Sequence, residues 1–100
     1  MDPAKPDINI SDVVVSTAGR DQGEWFYVIA EDPIYLYLAN GKGRSLDKPK
    51  RKKRKHVQKV LRSETRVADK IRLGDKVLNG ELRRDLAFLA SQMQANNLGG

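Results

Sequence analysis

The most distinctive chemistry in this sequence is a run of cationic side chains. Seven of the eight residues from Lys48 to Lys55 are lysine or arginine, and the eighth is Pro49. Lysine and arginine donate charge-assisted hydrogen bonds to phosphate and release counterions when they neutralise a nucleic acid backbone. The run therefore indicates a polyanionic partner. Because like charges repel one another, we expect the run to be unordered until that partner binds.

The positive charge is confined to one part of the chain. Residues 41–62 contain eleven basic residues and one acidic residue, a net charge of +10. Residues 1–40 contain two basic and seven acidic residues, a net charge of −5. This asymmetry predicts one localised binding surface. Other interpretations of the run are a solvated loop, a nuclear-import signal and a segment that binds anionic lipid.

The sequence lacks the residues that most catalytic and cofactor-binding sites require. The chain of 100 residues has no cysteine, which excludes disulfides, thiolate metal sites and cysteine nucleophiles. His56 is the single histidine and has no partner at the spacing of a metal site. No pair of acidic residues stands out as catalytic. We therefore expect no enzymatic activity, no cofactor and no small-molecule substrate.

Several aromatic residues are candidates for contact with nucleic acid bases. Tyr35 and Tyr37 alternate with apolar residues, so they share one face of a strand and are candidates for base stacking. Phe26 is expected in the core. Trp25 and Tyr27 also share a face, and periodicity leaves open whether they contact bases or cover a C-terminal helix.

The elements that position these side chains begin with short strands. Runs rich in β-branched and aromatic residues cover residues 12–16, 24–29 and 34–39, and Gly, Pro, Asn and Asp separate them. Residues 57–61 are a candidate closing strand. This pattern predicts a compact antiparallel sheet or barrel. Alternation in the third run directs three side chains inward, namely Ile34, Leu36 and Leu38.

After Ser63 the hydrophobic period changes to that of helices. Val67 and Ile71 indicate a short helical segment that stops at Gly74. Asn79 is expected to cap a final helix. The apolar face of that helix consists of Leu82, Leu86, Leu89, Ala90 and Met93. We expect this face to dock on the sheet; the alternatives are a partner protein and a second copy of the chain.

The length suits one small domain with terminal extensions. The predicted divisions are a disordered lead-in (1–7), a β domain (8–62) with its basic segment (42–56), a helical extension (63–96) and a frayed tail (97–100). The first residues lack the apolar stretch of a signal peptide, and no apolar run reaches the roughly 20 residues of a membrane span. We expect a cytoplasmic protein that does not bind membranes.

Residues 12–23, with the strand that follows them, resemble a KOW motif. Gly19 and Gly23 match the turn glycines of that motif. Its apolar core positions are matched by Val13, Val15 and Val28. Two residues depart from the pattern, since Ser11 and Phe26 stand where the motif commonly has glycine.

The resemblance extends over residues 11–61, including the aromatic strand, the turn at 39–41 and the basic run that ends at His56, and more loosely over the segment around Leu82–Leu86. This span is similar to bacterial KOW-domain RNA-binding proteins related to the archaeal and eukaryotic large-subunit ribosomal proteins numbered fourteen. The resemblance implies a mainly β fold, a small SH3-like barrel followed here by a C-terminal amphipathic helix. It also implies binding to RNA, with ribosomal RNA and ribosomal proteins as the expected partners.

The predicted RNA contacts combine this resemblance with the charges of the chain. Arg20 lies in a glycine turn, where its guanidinium and nearby N–H groups would meet a phosphate together; the alternative is an ion pair with Asp21 or Glu24. The complete predicted set is Arg20, Lys42, Arg44, Lys48, Lys50, Arg51, Lys52, Lys53, Arg54, Lys55 and His56. The alternative function is a protein-interaction module of the transcription or translation machinery.

Overall fold

The computed structural model describes residues 7–98, with side chains through residue 94, and in them five strands form one antiparallel sheet. The strands are β1 (Asp12–Ser16), β2 (Trp25–Glu31), β3 (Tyr35–Ala39), β4 (Lys50–Lys53) and β5 (Val57–Arg62). Their order across the sheet is β4-β3-β2-β1-β5. The four strands predicted from the sequence are therefore confirmed, with ends shifted by at most two residues.

The one strand that the sequence did not predict, β4, lies inside the basic run, which was expected to be unordered. Lys50–Lys53 pair with β3 along their whole length, and a 3₁₀ turn over Arg54–His56 leads into β5. The prediction of an unordered arm is therefore wrong. Its error was to count only repulsion within the run, whereas alternate side chains of β4 have carboxylate partners elsewhere in the fold.

One face of the sheet carries an apolar core supplied by strands that are far apart in sequence. The cluster consists of Ile8, Val14, Phe26, Val28, Leu36, Leu38 and Val57. The pairing register shifts once between β1 and β5 and once between β2 and β3. Such irregularities bend and twist a sheet locally. Burial of Leu36, Leu38 and Phe26 agrees with the alternation read from the sequence.

Ile34 departs from that alternation, because its side chain is 60% exposed. The strand begins one residue later, at Tyr35, so Ile34 belongs to the turn between β2 and β3. Its carbonyl oxygen accepts a hydrogen bond from the backbone N–H of Arg54 at 2.9 Å. Ile34 therefore joins the turn to the 3₁₀ segment through its backbone and leaves its side chain in solvent.

Two helices, α1 (Arg66–Leu73) and α2 (Asn79–Leu98), pack on the other face of the sheet. The buried cluster between them consists of Val13, Tyr27, Ala39, Val67, Ala68, Leu82 and Leu86. Leu89 packs against this cluster and is partly buried. The predicted docking of the apolar face of the last helix on the sheet is therefore confirmed for its first turns.

The ends of the helices follow the capping expectations in part. Thr65 caps α1, with its side chain accepting a hydrogen bond from the Ala68 N–H, and Gly74 ends α1 in a left-handed conformation as predicted. Asn79 does not act as predicted, because its side-chain oxygen accepts a hydrogen bond from the backbone N–H of Leu46 at 2.8 Å. Asn79 thus ties the β3–β4 loop to the start of α2 instead of capping the helix.

Gly41 is required at the same junction. Its φ is +76°, and a Cβ there would lie 2.1 Å from the carbonyl oxygen of Asn79. Any other residue would therefore push the β3–β4 loop away from α2. The last helix continues to Leu98, beyond the end predicted at residue 96. Residues 1–6 of the predicted lead-in and residues 99–100 of the predicted tail lie outside the described residues.

Neither helix within residues 7–98 has the combination of length and apolar composition needed to cross a membrane.

Candidate nucleic-acid interface

The alternation of β4 sorts the basic run into two sets. Lys50 and Lys52 are paired in register with Leu38 and Leu36, the core positions of β3, whereas Arg51 and Lys53 are paired with Tyr37 and Tyr35. Residues paired across antiparallel strands point to the same face. Lys50 and Lys52 therefore lie on the core side of the sheet, and Arg51 and Lys53 lie on the opposite side.

The core-side lysines meet a buried carboxylate contributed by the β1–β2 loop. Asp21 is 7% exposed, and its Oδ1 lies 2.6 Å from the Nζ of Lys52, which is itself 7% exposed. Lys50 Nζ lies 2.6 Å from Asp21 Oδ2, a second ion pair on the same carboxylate. Ser16 Oγ also donates to Asp21 Oδ1, at 2.7 Å. We call these four residues the Asp21 cluster.

The ionisation of Asp21 is set by this cluster. Burial on its own raises the pKa of the carboxyl, but the two ammonium groups and the Ser16 hydroxyl outweigh it, so the pKa lies well below its ordinary value of 3.8. Asp21 therefore stays charged at neutral pH, and its buried carboxylate partly neutralises Lys50 and Lys52 of the basic run. Lys52 also donates to the carbonyl oxygen of Ala18 at 2.6 Å, which fixes β4 against the β1–β2 loop.

Arg54 is also engaged within the protein. Its guanidinium donates to the carbonyl oxygens of Asp32 at 2.9 Å and Ile8 at 3.1 Å. It also forms an ion pair with Glu31 at 3.2 Å. Of the predicted contact residues, Lys52 and Arg54 thus act as structural links, and Lys50 is held in the Asp21 cluster while remaining 25% exposed.

The remaining cations of the run point into solvent. The side chains of Lys48, Arg51, Lys53 and Lys55 are exposed, and none of them forms an ion pair with a described residue. His56 is half-buried at the end of the 3₁₀ turn, and its carbonyl oxygen accepts a hydrogen bond from Thr17 at 2.9 Å. We call Arg51, Lys53 and Lys55 the outward cations.

Two loops bring further predicted contact residues together around an open cleft of about 310 Å³. Its cationic lining consists of Arg20 from the β1–β2 loop, Arg44 from the β3–β4 loop and Lys50 at the start of β4. Asp21 and Glu24 also line it. Among the described residues Arg20 forms no ion pair with Asp21 or Glu24, which was the alternative to its contact with phosphate. We call this site the two-loop cleft.

The loop that carries Arg44 is shaped by Asn40. The side-chain oxygen of Asn40 accepts hydrogen bonds from the backbone N–H groups of Lys42 and Arg44, both at 3.0 Å. Such a turn fixes the backbone from which the two side chains project. Arg44 lines the two-loop cleft, while Lys42 is exposed on the same loop without lining the cleft.

The aromatic candidates separate into buried and accessible sets. Phe26 is in the core, as predicted, and Tyr27 is fully buried beneath the helices with Trp25 packed beside it. Tyr35 and Tyr37 remain half-exposed. The guanidinium carbon of Arg51 lies 4.4 Å from the centroid of the Tyr35 ring, a cation–π contact.

Sequence reasoning missed two buried polar groups. The first is Asp21, whose only signal in the sequence is its place as an acidic residue in a glycine turn of a protein with a dense basic run. Its lysine partners lie 29 and 31 residues away, so no local pattern links them to it. The second group is Tyr27, whose hydroxyl donates to Asp85 and lies 2.8 Å from Ser63 Oγ. Burial and the Asp85 carboxylate raise the pKa of Tyr27 to about 12.

Comparison of the chain with models of known protein families and with curated proteins finds no match.

Proposed function

We propose that this protein is a non-catalytic RNA-binding protein of the KOW type, acting on structured RNA in a ribosomal or ribosome-associated setting. The observation that carries the proposal is the convergence of Arg20, Arg44 and Lys50 on one cleft, next to the strand and the 3₁₀ turn that present the outward cations. Arg20 and Arg44, which form no ion pair with a described residue, suit a phosphate group at this cleft, where Asp21 already partly neutralises Lys50, and the outward cations suit the phosphates that follow it.

The fold of the proposal is the small SH3-like barrel that the KOW resemblance implies. Two features support it. The last strand, β5, returns to pair with the first, β1, across five residue pairs. The Lys52 ammonium, on the edge strand at the other end of the sheet, contacts the loop that follows β1. The β5–β1 pairing places β5 at the edge beyond β1, and the Lys52 contact draws the β4 edge toward that end of the sheet, as closure of a barrel requires.

The binding mode follows from the rigidity of the basic strand. Because Asp21 and Glu31 hold alternate cations of the run and β4 is paired with β3, the backbone that carries the outward cations is ordered before RNA arrives. An ordered backbone loses less conformational entropy on binding than a flexible arm. Contacts of this kind recognise the positions of phosphates, so the expected specificity is for RNA shape and not for base sequence.

The proposal is tested by removing the outward cations while sparing the Asp21 cluster. The variant Arg51→Gln/Lys53→Gln/Lys55→Gln is compared with Arg66→Gln/Lys76→Gln/Arg83→Gln, which removes the same charge from exposed positions on the two helices and the loop between them. Binding to structured ribosomal RNA is measured over a range of salt. We expect the first variant to lose about 2 to 3 units of the slope of log K against log salt, since each lost phosphate contact removes nearly one unit.

A second candidate function, a protein-interaction module of the transcription or translation machinery, is favoured by one observation. Phe88 on α2 and Leu73 at the end of α1 are 53% and 76% exposed. Ribosome co-sedimentation separates the two functions. If the triple variant in the outward cations still co-sediments with ribosomes while Phe88→Ala does not, the protein-interaction function is supported and RNA binding by the basic strand is contradicted.

A further inference from the structure

The sheet face opposite the core has a part that the helices leave uncovered. Tyr27 and Ala39 lie beneath α1 and α2, whereas Tyr35 and Tyr37 on the same face do not belong to that buried cluster. Ala30, paired with Tyr37, is small and exposed, and β2 ends at Glu31 before it passes Tyr35. The two tyrosine rings are therefore accessible to a ligand that approaches this uncovered part of the sheet face. With Arg51 and Lys53 from β4, they form what we call the tyrosine–arginine face.

The chemistry of this face differs from that of the two-loop cleft. The Arg51 guanidinium lies over the Tyr35 ring with 4.4 Å between its carbon and the ring centroid, and Arg51 remains exposed to solvent. The Tyr37 hydroxyl donates to Asp32 Oδ2 at 3.3 Å, which orients the ring. Flat aromatic and guanidinium surfaces bind nucleic acid bases by stacking. The two-loop cleft is lined instead by Arg20, Arg44 and Lys50 together with the carboxylates of Asp21 and Glu24, so its contacts to a ligand are mainly ionic.

The charges around the face favour one direction of approach. Glu31 and Asp32 lie at its β2–β3 end, but Glu31 is paired with Arg54. The Asp32 carboxylate accepts backbone hydrogen bonds from Tyr35 and Ile34, which hold its pKa below the ordinary value. The cations Arg51 and Lys53 lie on the β4 side. A strand of RNA would therefore place its phosphates along β4 and its bases over the tyrosines.

We propose that the tyrosine–arginine face binds unpaired nucleotides adjacent to the structured RNA held by the two-loop cleft. The inference rests on the proposed RNA-binding function and specifies its ligand. Bases inside a helix already stack on their neighbours, so only unpaired bases are available to Tyr37 and to the Arg51–Tyr35 pair. The ligand class is thus a junction between a folded RNA element and a single strand.

Three RNA probes separate stacking from charge. The first is a blunt hairpin, the second carries a tail of about six unpaired uridines, and the third carries an abasic tail with the same phosphates. We expect the wild-type protein to bind the uridine tail about tenfold more tightly than the abasic tail, because only the bases differ. Tyr35→Leu and Tyr37→Leu should reduce this ratio toward one. Phe88→Leu, which removes an exposed aromatic ring from α2, should leave it unchanged.

The outcomes distinguish this inference from the function on which it rests. Equal binding of the uridine and abasic tails, with the hairpin still bound, overturns the tyrosine–arginine face and leaves RNA binding intact. Binding of none of the probes in dilute salt overturns both. A second measurement needs no variant: 4-thiouridine in the tail should crosslink to the wild-type protein at Tyr35, Tyr37 or Arg51. Crosslinks confined to Arg20 and Arg44 would contradict the inference.

Discussion

The cations of β4 alternate between an inward pair, Lys50 and Lys52, and an outward pair, Arg51 and Lys53. The two pairs are neighbours in sequence but differ in exposure and in their ionic contacts. Lys52 is 7% exposed and bonded to Asp21 and to the carbonyl oxygen of Ala18, whereas Lys53, the next residue, is exposed and makes no ion pair with a described residue. The pleat of the strand produces this difference, because successive side chains point to opposite faces. A run that is uniform in sequence thus contains one set of residues that builds the scaffold and one that is available to a ligand.

This comparison changes what the charge of the run means for binding. Asp21 is paired with Lys50 and Lys52, and Glu31 is paired with Arg54, so a ligand meets fewer free cations than the sequence contains. In exchange, the outward cations Arg51 and Lys53 lie on a paired strand with fixed spacing, and Lys55 lies in the 3₁₀ turn that follows. Since two residues along a strand span about 6.6 Å, Arg51 and Lys53 lie at a separation close to that between successive phosphates of a nucleic acid backbone.

The largest expected effect comes from Asp21, on which the inward set depends. Asp21→Asn leaves two ammonium groups near the core without a counter-charge, and breaking a buried pair in this way costs about 3 kcal/mol of unfolding free energy. Urea unfolding followed by circular dichroism measures it. Asp47→Asn, at an exposed position, is the matched control and should change stability by less than about 0.5 kcal/mol. Equal stability of the two variants would contradict the structural role of the Asp21 cluster.

The same cluster predicts a dependence of stability on pH. Because the pKa of Asp21 is lower in the folded protein than in the unfolded chain, its contribution is present in full above the ordinary value of 3.8 and is lost as the pH falls below it. The unfolding free energy of the wild-type protein should therefore fall more steeply than that of Asp21→Asn between neutral pH and strong acid. Parallel curves would be the opposing result.

A smaller effect is expected from a direct test of the alternation. Lys52→Met removes one partner of Asp21 while Lys50 remains, and we expect a loss of about 2 kcal/mol. Lys53→Met makes the same chemical change one residue away, on the outward face, and should alter stability by less than about 0.5 kcal/mol. Thermal unfolding of the two variants side by side gives the comparison. A larger loss of stability in Lys53→Met than in Lys52→Met would contradict the assignment of Lys52 to the inward face.

The smallest effect concerns the second buried polar group, which holds the helices. Tyr27→Phe removes the hydroxyl that donates to Asp85, which then keeps Thr65 as a partner at 2.8 Å. We expect a loss of about 1 kcal/mol in unfolding free energy and no change in RNA affinity. Tyr37→Phe removes a half-exposed hydroxyl that also bonds an aspartate, and it should cost less. A change in the salt dependence of RNA binding by Tyr27→Phe would show that the two regions are coupled.

Most of the fold was accessible from local sequence patterns, because strands and helices with apolar faces carry a periodic signal. Alternation placed Leu36 and Leu38 in the core, and the helical period placed Leu82 and Leu86 against the sheet. The same rules failed for β4. Its residues are all basic, so no apolar alternation marked it as a strand, and its stabilising partner Asp21 is distant in sequence.

The candidate site was predictable in composition but not in arrangement. The charges of Arg20, Arg44 and the basic run were evident, yet their meeting around one cleft depends on how two loops fold. Burial of Lys52 was also beyond a sequence argument, since lysine is seldom buried unless a carboxylate pairs with it. Asn79 is a further case, because its bond to Leu46 depends on where the β3–β4 loop meets α2.

The most direct test of the account is the reactivity of individual lysines toward acetylation, measured by mass spectrometry in the absence and presence of structured ribosomal RNA. We predict that Lys53 and Lys55 react readily in the free protein and are protected by RNA, that Lys52 reacts slowly in both states, and that Lys76 on the helical side reacts equally in both. Protection of Lys76 with unchanged reactivity of Lys53 and Lys55 would contradict the account.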